Sequence, residues 1–416
     1  MAKNRFTRSL AIFYGALFLI YGTHLPYFPV WLRARGLDVQ LISMIVAAPL
    51  FLRFALNPII AAAADRTKSH VRYVRILAAL ALMAALILTQ TKEVWSLTAY
   101  SIGLAMAFTA TMPLIETIAV SGVREMNVDY GRMRLWGSAS FIAASFLGGV
   151  FIERLHEGII IWLLVAAGVL TLAASMLLPK GPPALNARPP TKPDRHLHPQ
   201  NLDIPVQWSP GREQASPNTK QIQHLRSRLF ILFLVCGGLS QASHATYYTF
   251  GTLHWLDQGI SPQWVGFLWA LGVGAEIVLF TLSQKIISRT GPVVLMIIGA
   301  FGGLTRWLAM ASDPPLAALI PLQVLHALTY GASHIGAIHF IARNIPHERT
   351  GTAQALYGGV GNGSAMALAI LVSGWIYASY GALTYLAMAA LSFVATLAGF
   401  MILRTCQSKP RNHDNI

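Results

Sequence analysis

The chain has 416 residues, of which 55% are hydrophobic and 11% are charged, and its formal net charge is +15. About a quarter of the residues in a soluble domain are charged, so this composition excludes an ordinary soluble protein. Apolar runs of about 20 residues recur along the chain, and each can cross a bilayer as a helix. We count twelve such runs and predict an all-α polytopic membrane protein.

The fourth and fifth runs form a predicted helical hairpin, Met112–Ser145, around which the chain is organised. Its first arm carries one acid, Glu116, and its second arm opens with Tyr130-Gly131-Arg132-Met133-Arg134. A short polar turn joins the arms and would bring Glu116 and Arg134 to similar depth on neighbouring helices. Unpaired charges inside hydrocarbon are costly, so both residues are functional candidates. A structural pair that only fixes helix packing is the alternative.

The longest break between apolar runs, 179–228, is rich in proline, polar and charged residues. We predict a flexible cytoplasmic linker there. It separates an N-terminal six-helix bundle, 1–178, from a C-terminal six-helix bundle, 229–404, and a short tail, 405–416, follows. The tail is predicted to be cytoplasmic.

The two halves repeat weakly, in the same order along the chain. His24-Leu25-Pro26-Tyr27-Phe28 matches His244-Ala245-Thr246-Tyr247-Tyr248, and aligning the glycines that follow, Gly36 with Gly259, sets Arg53 opposite Glu276. Two repeated halves that enclose a site at the middle of the membrane are a transporter architecture. We expect Arg53 and Glu276 to face a central cavity.

Glu276 is the first candidate for a proton carrier, because its apolar neighbours disfavour the charged form of a carboxylate. Arg306 and Arg53 are the candidate partners, and a permanently ionised pair with either one is the alternative. The sequence then places three bases inside the membrane, Arg53, Arg134 and Arg306, and two acids, Glu116 and Glu276. One positive charge is left over for an anionic ligand.

The tenth run carries polar residues on one helical face: His326, Thr329, Tyr330, Ser333 and His334. This stripe predicts a wall that faces water, although hydrogen bonding between helices is the alternative. We predict no metal site, because the two histidines lie about 12 Å apart along the helix.

Orientation follows from the positive charges. Most lysines and arginines fall on the side that the two termini share, which predicts cytoplasmic termini in a bacterial inner membrane. The basic balance therefore reflects this face and gives no reason to expect binding to nucleic acid.

The layout of six runs, a central loop and six runs resembles the major facilitator superfamily. Asp65 and Arg66, after the second run, resemble that superfamily's loop signature, which implies a gating role. Glu116 followed by Asp129-Tyr130-Gly131-Arg132-Met133-Arg134 resembles the lactose permease branch, where the matching pair belongs to the sugar site. Lactose permease has an acid one turn after the histidine of the tenth span, and Thr329 stands there in this chain.

A closer resemblance is to the phenylpropionate permease family, through three segments: Arg134-Leu135-Trp136-Gly137-Ser138, Tyr27-Phe28-Pro29 and Leu325-His326-Ala327-Leu328-Thr329-Tyr330-Gly331. The resemblance implies import of an aromatic carboxylate with a proton as the coupling ion and no other cofactor.

For the substrate site we predict Glu116, Arg134, Trp136, Tyr27 and Tyr247, the aromatic residues supplying stacking surface. Core packing is the alternative for each aromatic residue. For proton coupling we predict Glu276 with His326, Arg306 and Arg53.

The predicted protein is a monomeric secondary transporter of a small organic anion, in contact with membrane lipid, and not an enzyme. A sugar or nucleoside symporter is the alternative among transporters. A membrane sensor without transport is the alternative from another class, and it would require a folded soluble domain that none of the loops can supply.

Overall fold

The computed structural model describes residues 2–179 and 225–407. These residues form helices and no strand, which confirms the predicted all-α class. Most of the predicted linker and most of the predicted tail lie outside the described residues. The first six helices are α1 (Ala2–Ala34), α2 (Val39–Arg66), α3 (His70–Gln90), α4 (Val94–Met126), α5 (Tyr130–Arg154) and α6 (Ile159–Leu177).

After the gap the helices are shorter, because several spans are interrupted. They are α7 (Arg228–Ala242), α8 (Ala245–Asp257), α9 (Pro262–Thr281), α10 (Ser283–Thr290), α11 (Pro292–Met310), α12 (Leu316–Val324), α13 (Ser333–Asn344), α14 (His347–Tyr357), α15 (Met366–Tyr380) and α16 (Thr384–Gln407).

In the described part of the chain, eleven helical stretches are long and apolar enough to cross a membrane. The last one, Glu348–Thr405, has 58 residues, more than twice the length that one crossing needs. It turns at Gly381, whose φ of +51° is in the left-handed region, and a 3-10 turn separates α15 from α16. Counting its two arms separately gives the predicted twelve spans.

Two compact units divide the structure. The described residues of the first unit are 2–179 and Trp255–Ala270, and those of the second unit are 225–254 and 271–407. The end of α8 and the first half of α9 therefore pack with the first unit. The predicted bundle boundaries stay a prediction, because the linker lies mostly outside the described residues.

In the first unit α1 is the principal partner of α5, and α4 packs chiefly on α3. Gly22 of α1 lies directly against the backbone of Phe141 and the side chain of Ala144 on α5, and such small residues let two membrane helices approach closely. The arms of the predicted hairpin, α4 and α5, touch each other little.

The second unit is built around α7, α11, α13 and α16. Two of its spans contain π-helical segments, Ala327–Ala332 between α12 and α13, and Gly358–Ala365 between α14 and α15. π-Helical turns are rare and occur frequently at functional sites.

The beginning of α7 and the end of α13 lie at the same end of this unit. We call this end the linker end of the second unit.

Candidate functional site

The turn between α4 and α5 positions the polar residues of the first unit. Asn127 ends α4 in a left-handed conformation with φ +48°. Asp129 caps α5, and its side chain accepts a hydrogen bond of 3.1 Å from the backbone N–H of Arg132. Tyr130 consequently lies in the first turn of α5, and its hydroxyl donates to the Oε2 atom of Glu116 at 2.8 Å.

Arg134 lies one turn further along α5 and turns towards α1. Its guanidinium carbon is 4.0 Å from the ring centroid of Phe18 and 5.8 Å from that of Tyr14. Its NH1 atom is buried without a hydrogen-bond partner in the described structure, and the same is true of the Oε1 atom of Glu116. The two charges attract each other electrostatically without a direct ion pair among the described residues.

The expected contact between Glu116 and Arg134 is thus replaced by two others, Glu116 with Tyr130 and Arg134 with Phe18. The reason is that α5 packs on α1 and not on α4. A bridging water or ligand atom would restore the pair, so the predicted shared site stays a prediction.

The aromatic residues predicted for the substrate site lie in different environments. Tyr27 is 1% exposed, and its hydroxyl donates to the carbonyl oxygen of Ser145, so its position fits helix packing. Trp136 is 60% exposed. Tyr247, in the second unit, is buried with its ring 4.8 Å from the guanidinium carbon of Arg306.

The remaining residues predicted in the first unit lie on α2. Arg53 is half-buried and electrostatically close to Tyr21. Asp65 is paired with the Nε2 atom of His70 at 2.8 Å, and Arg66 is exposed. The pairing of Arg53 with Glu276 stays a prediction, because these residues belong to different units.

A buried arginine organises the second unit. Arg306 of α11 is 0% exposed and donates hydrogen bonds to Gln323 Oε1 at 2.9 Å, His326 Nδ1 at 3.1 Å and Thr329 Oγ1 at 3.2 Å. The indole ring of Trp307 lies 4.6 Å from its guanidinium carbon, an additional cation–π contact. The three acceptors are neutral side chains.

The acid of this network comes from another helix. Glu276 of α9 lies with its Oε1 atom 2.7 Å from the Nε2 atom of His326. The structure therefore brings together three of the four residues predicted for proton coupling, Glu276, His326 and Arg306. It also supplies from α9 the carboxylate that the tenth span lacks at Thr329.

The partners of His326 determine which ring nitrogen carries its proton. A guanidinium has only donors, so Nδ1 of His326 accepts from Arg306. A neutral imidazole with an accepting Nδ1 has its proton on Nε2, and Nε2 therefore donates to Glu276. A doubly protonated ring would turn an N–H towards the Arg306 donor, so this arrangement keeps His326 neutral.

The polar stripe of the tenth span is more buried than expected. Thr329 and Ser333 are 0% and 1% exposed, and they contact His244 at 3.0 Å and Ser240 at 2.8 Å on the seventh span. For these two residues the prediction of a wall facing water was wrong, and hydrogen bonding between helices is observed. Tyr330 and His334 are half-buried.

Sequence reasoning missed Gln323, Phe18 and the role of the Tyr130 hydroxyl. Gln323 lies three residues before His326, so extending the polar stripe by one turn would have found it. Phe18 had no such signal, because only the packing of α5 on α1 brings it to Arg134.

The geometry defines a membrane protein with two intramembrane arginine sites, one around Arg134 and one around Arg306, and comparison with known proteins gives its class. The family model of the MFS_1 like family matches residues 7–387, so the chain belongs to this family. Together with the membrane-length helices, this makes it an integral membrane protein and a secondary transporter of the major facilitator type.

Two relatives define the type more closely. The chain is 30% identical over 400 residues to the "Probable 3-phenylpropionic acid transporter" of Escherichia coli (strain K12), covering 96% of this chain and 99% of that protein. It is 26% identical over 389 residues to the maltose permease of Geobacillus stearothermophilus, covering 88% and 86%. The match to the Escherichia coli protein and the family model confirm the resemblance to the phenylpropionate permease family.

Among solved structures, the nucleoside transporter NupG superposes with a TM-score of 0.75 at 16% identity, covering 96% of this chain and 99% of that one. At this identity the likeness shows the fold alone, and it agrees with the predicted major facilitator fold.

Proposed function

We propose that the protein imports a small aromatic carboxylate together with a proton by alternating access. The observation that carries the substrate proposal is the buried, unpartnered NH1 atom of Arg134, together with the equally unpartnered Oε1 atom of Glu116, a residue with which Arg134 interacts electrostatically. A carboxylate would accept from Arg134 through a charge-assisted hydrogen bond. Glu116 would hold Tyr130 in place beside it.

Arg134 is better suited to this contact than Arg306. Both terminal nitrogens of Arg306 already donate to Gln323, His326 and Thr329, so an incoming carboxylate would have to displace bonds that are formed. A carboxylate can bind the NH1 atom of Arg134 without displacing another acceptor in the described structure, and Phe18 already holds the planar group in position. The name of the Escherichia coli relative supports a phenylpropionate-like substrate.

Glu276 is the proton carrier in this proposal. The accepting Nδ1 atom of His326 leaves no site for a second proton on that ring while Arg306 is bonded to it. Glu276 accepts from His326 through its Oε1 atom, so a proton added to this network would bind the Glu276 carboxylate. Protonation would change the summed charge of Glu276, His326 and Arg306 from zero to +1. The conformational equilibrium of the protein would then shift towards the state that stabilises this positive charge better.

A proton-coupled sugar or nucleoside symporter is the second candidate. It is supported by the maltose permease among the relatives, and Glu116 and Arg134 would then bind hydroxyl groups through paired hydrogen bonds. We further propose an inner-membrane monomer with cytoplasmic termini, in which Asp65 and Arg66 take part in gating.

Competition with radiolabelled 3-phenylpropionate uptake tests the substrate class. The competitors are 3-phenylpropionate, its methyl ester, a disaccharide and a nucleoside. The acid should compete and the ester should compete far less, because the ester offers no charge to Arg134. No saturable uptake of labelled 3-phenylpropionate, together with saturable uptake of a labelled disaccharide or nucleoside that 3-phenylpropionate does not inhibit, would contradict the carboxylate proposal and support the second candidate.

A further inference from the structure

A column of stacked rings connects the Glu276–His326 pair with the linker end of the second unit. His326, Tyr330 and His334 are four residues apart, with ring centroids separated by 5.6 and 6.0 Å and ring planes inclined by 19° and 13°. Tyr357 of α14 continues the column, 6.2 Å from His334. The column spans about 12 Å from His326 to His334.

Three buried polar atoms lie beside this column without a hydrogen-bond partner among the described residues: Gln241 Oε1, His334 Nδ1 and Tyr357 Oη. The amide nitrogen of Gln241 donates to the carbonyl oxygen of Tyr330 at 3.5 Å, and the Tyr357 hydroxyl is electrostatically close to Gln241 but outside hydrogen-bond geometry. The three side chains are therefore neighbours.

Such a cluster is costly as mere packing. Each buried polar atom that lacks a partner costs about 1–3 kcal/mol, and leucine or phenylalanine would fill the same space without this cost. A buried water needs two to four polar partners. Gln241 Oε1, Tyr357 Oη and His334 Nδ1 would supply three of them.

We propose that Gln241, His334 and Tyr357 hold water in a relay through which the coupling proton leaves Glu276 towards the linker end. This inference rests on the proposed proton symport and extends it. Only O–H and N–H bonds form and break along the relay.

In the first step the Glu276 carboxyl gives its proton to water beside the column and becomes a carboxylate again, which still accepts from His326. The proton then binds His334 at Nδ1 and forms an imidazolium. His334 releases the proton on Nε2 to water at the linker end and is left with a proton on Nδ1. Rotation of the neutral ring about its Cβ–Cγ bond then turns the unprotonated nitrogen back towards the column, so that no proton returns. Gln241 and Tyr357 act as positioning residues that orient the water.

The test uses purified protein in liposomes that contain a pH-sensitive dye. One assay measures the proton flux that accompanies a 3-phenylpropionate gradient, and the other measures exchange of labelled for unlabelled 3-phenylpropionate, which needs no net proton release. The variants are His334→Phe, which keeps a ring without nitrogens, and Tyr357→Phe, which removes one hydroxyl.

Both variants should lower the proton-coupled rate by about tenfold or more while exchange continues, since a positioned proton-transfer group typically contributes about a hundredfold or more. Tyr385→Phe is the matched control, because Tyr385 is a buried tyrosine of the same unit whose hydroxyl also has no partner in the described structure. It should leave both rates unchanged. If His334→Phe does not fold, the proton-coupled rate and the exchange rate of Tyr357→Phe alone decide whether the relay exists.

The possible failures are distinguishable. Unchanged proton-coupled rates in both variants, with a coupled wild type, would overturn the relay and leave the proposed function standing. A wild type that transports 3-phenylpropionate without a proton flux would overturn both. Equal losses in Tyr385→Phe would overturn the relay in favour of a general effect of removing buried hydroxyls.

Discussion

Each of the two units contains an arginine inside a membrane span, and the two arginines differ in the hydrogen bonds that their terminal nitrogens make. Arg306 is completely buried and bonded to three neutral side chains. Arg134 is half-buried, lies over Phe18 and has a terminal nitrogen without a partner in the described structure. Both terminal nitrogens of Arg306 are bonded, although its Nε atom has no partner in the described structure. Arg306 is therefore suited to hold a fixed network, and Arg134, with an unbonded terminal nitrogen, is suited to receive a ligand.

This difference also separates the two acids. Glu276 accepts from a neutral histidine that arginine holds in one tautomer, so a proton added to this network would bind at the carboxylate. Glu116 accepts from the Tyr130 hydroxyl and keeps one oxygen for another donor. We infer a division of labour, with substrate binding in the first unit and proton binding in the second.

The largest expected effect is on stability. Arg306→Gln should destabilise the protein by about 3–5 kcal/mol, because it removes the charge that balances Glu276 and takes a donor from three buried acceptors. Arg134→Gln should cost less, since one terminal nitrogen of Arg134 has no bond to lose. Thermal unfolding of the two purified variants in the same detergent measures this, and equal losses would remove the contrast between the two sites.

A smaller effect is expected on substrate binding. Arg134→Lys should weaken binding of 3-phenylpropionate by about 10- to 150-fold, which corresponds to roughly 1.5–3 kcal/mol for one charge-assisted hydrogen bond. An ammonium cannot reproduce the planar two-donor contact with a carboxylate. Arg306→Lys is the matched variant and should change affinity little while it impairs proton coupling. Competition binding to both variants would contradict the division of labour if Arg306→Lys lost more affinity.

The smallest effect concerns the hydroxyl that holds Glu116. Tyr130→Phe should weaken substrate binding by about fivefold, the equivalent of roughly 1 kcal/mol for a lost hydrogen bond. Tyr100→Phe, on the exposed surface of the same α4 helix that carries Glu116, is the control and should bind normally. Wild-type affinity in Tyr130→Phe would show that the contact between Tyr130 and Glu116 does not shape the site.

Much of the fold was predictable from the sequence, because each span must satisfy its own backbone hydrogen bonds in lipid. The twelve apolar runs therefore mark the spans directly. The site around Arg306 in the second unit was also partly predictable. His326 and Thr329 lie on one face of one helix, and the alignment of the two halves indicated Glu276. Regular helical spacing converts sequence distance into spatial distance.

The site around Arg134 in the first unit was less predictable, because it depends on which helices pack together. Glu116 and Arg134 lie on successive helices, yet α5 packs on α1, which brings Phe18 under Arg134. Burial of Thr329 and Ser333 has the same cause, since their partners His244 and Ser240 lie on the seventh span. Periodicity within one helix does not reveal the neighbouring helix.

The most direct test of the division of labour is transport by Glu276→Gln in proteoliposomes. Glutamine imitates the protonated carboxyl, so exchange of 3-phenylpropionate across the membrane should continue, while uphill accumulation driven by a proton gradient should disappear. The account predicts this loss of accumulation with measurable exchange. Accumulation at the wild-type level in Glu276→Gln would contradict it and make Glu116 the next candidate for the proton carrier.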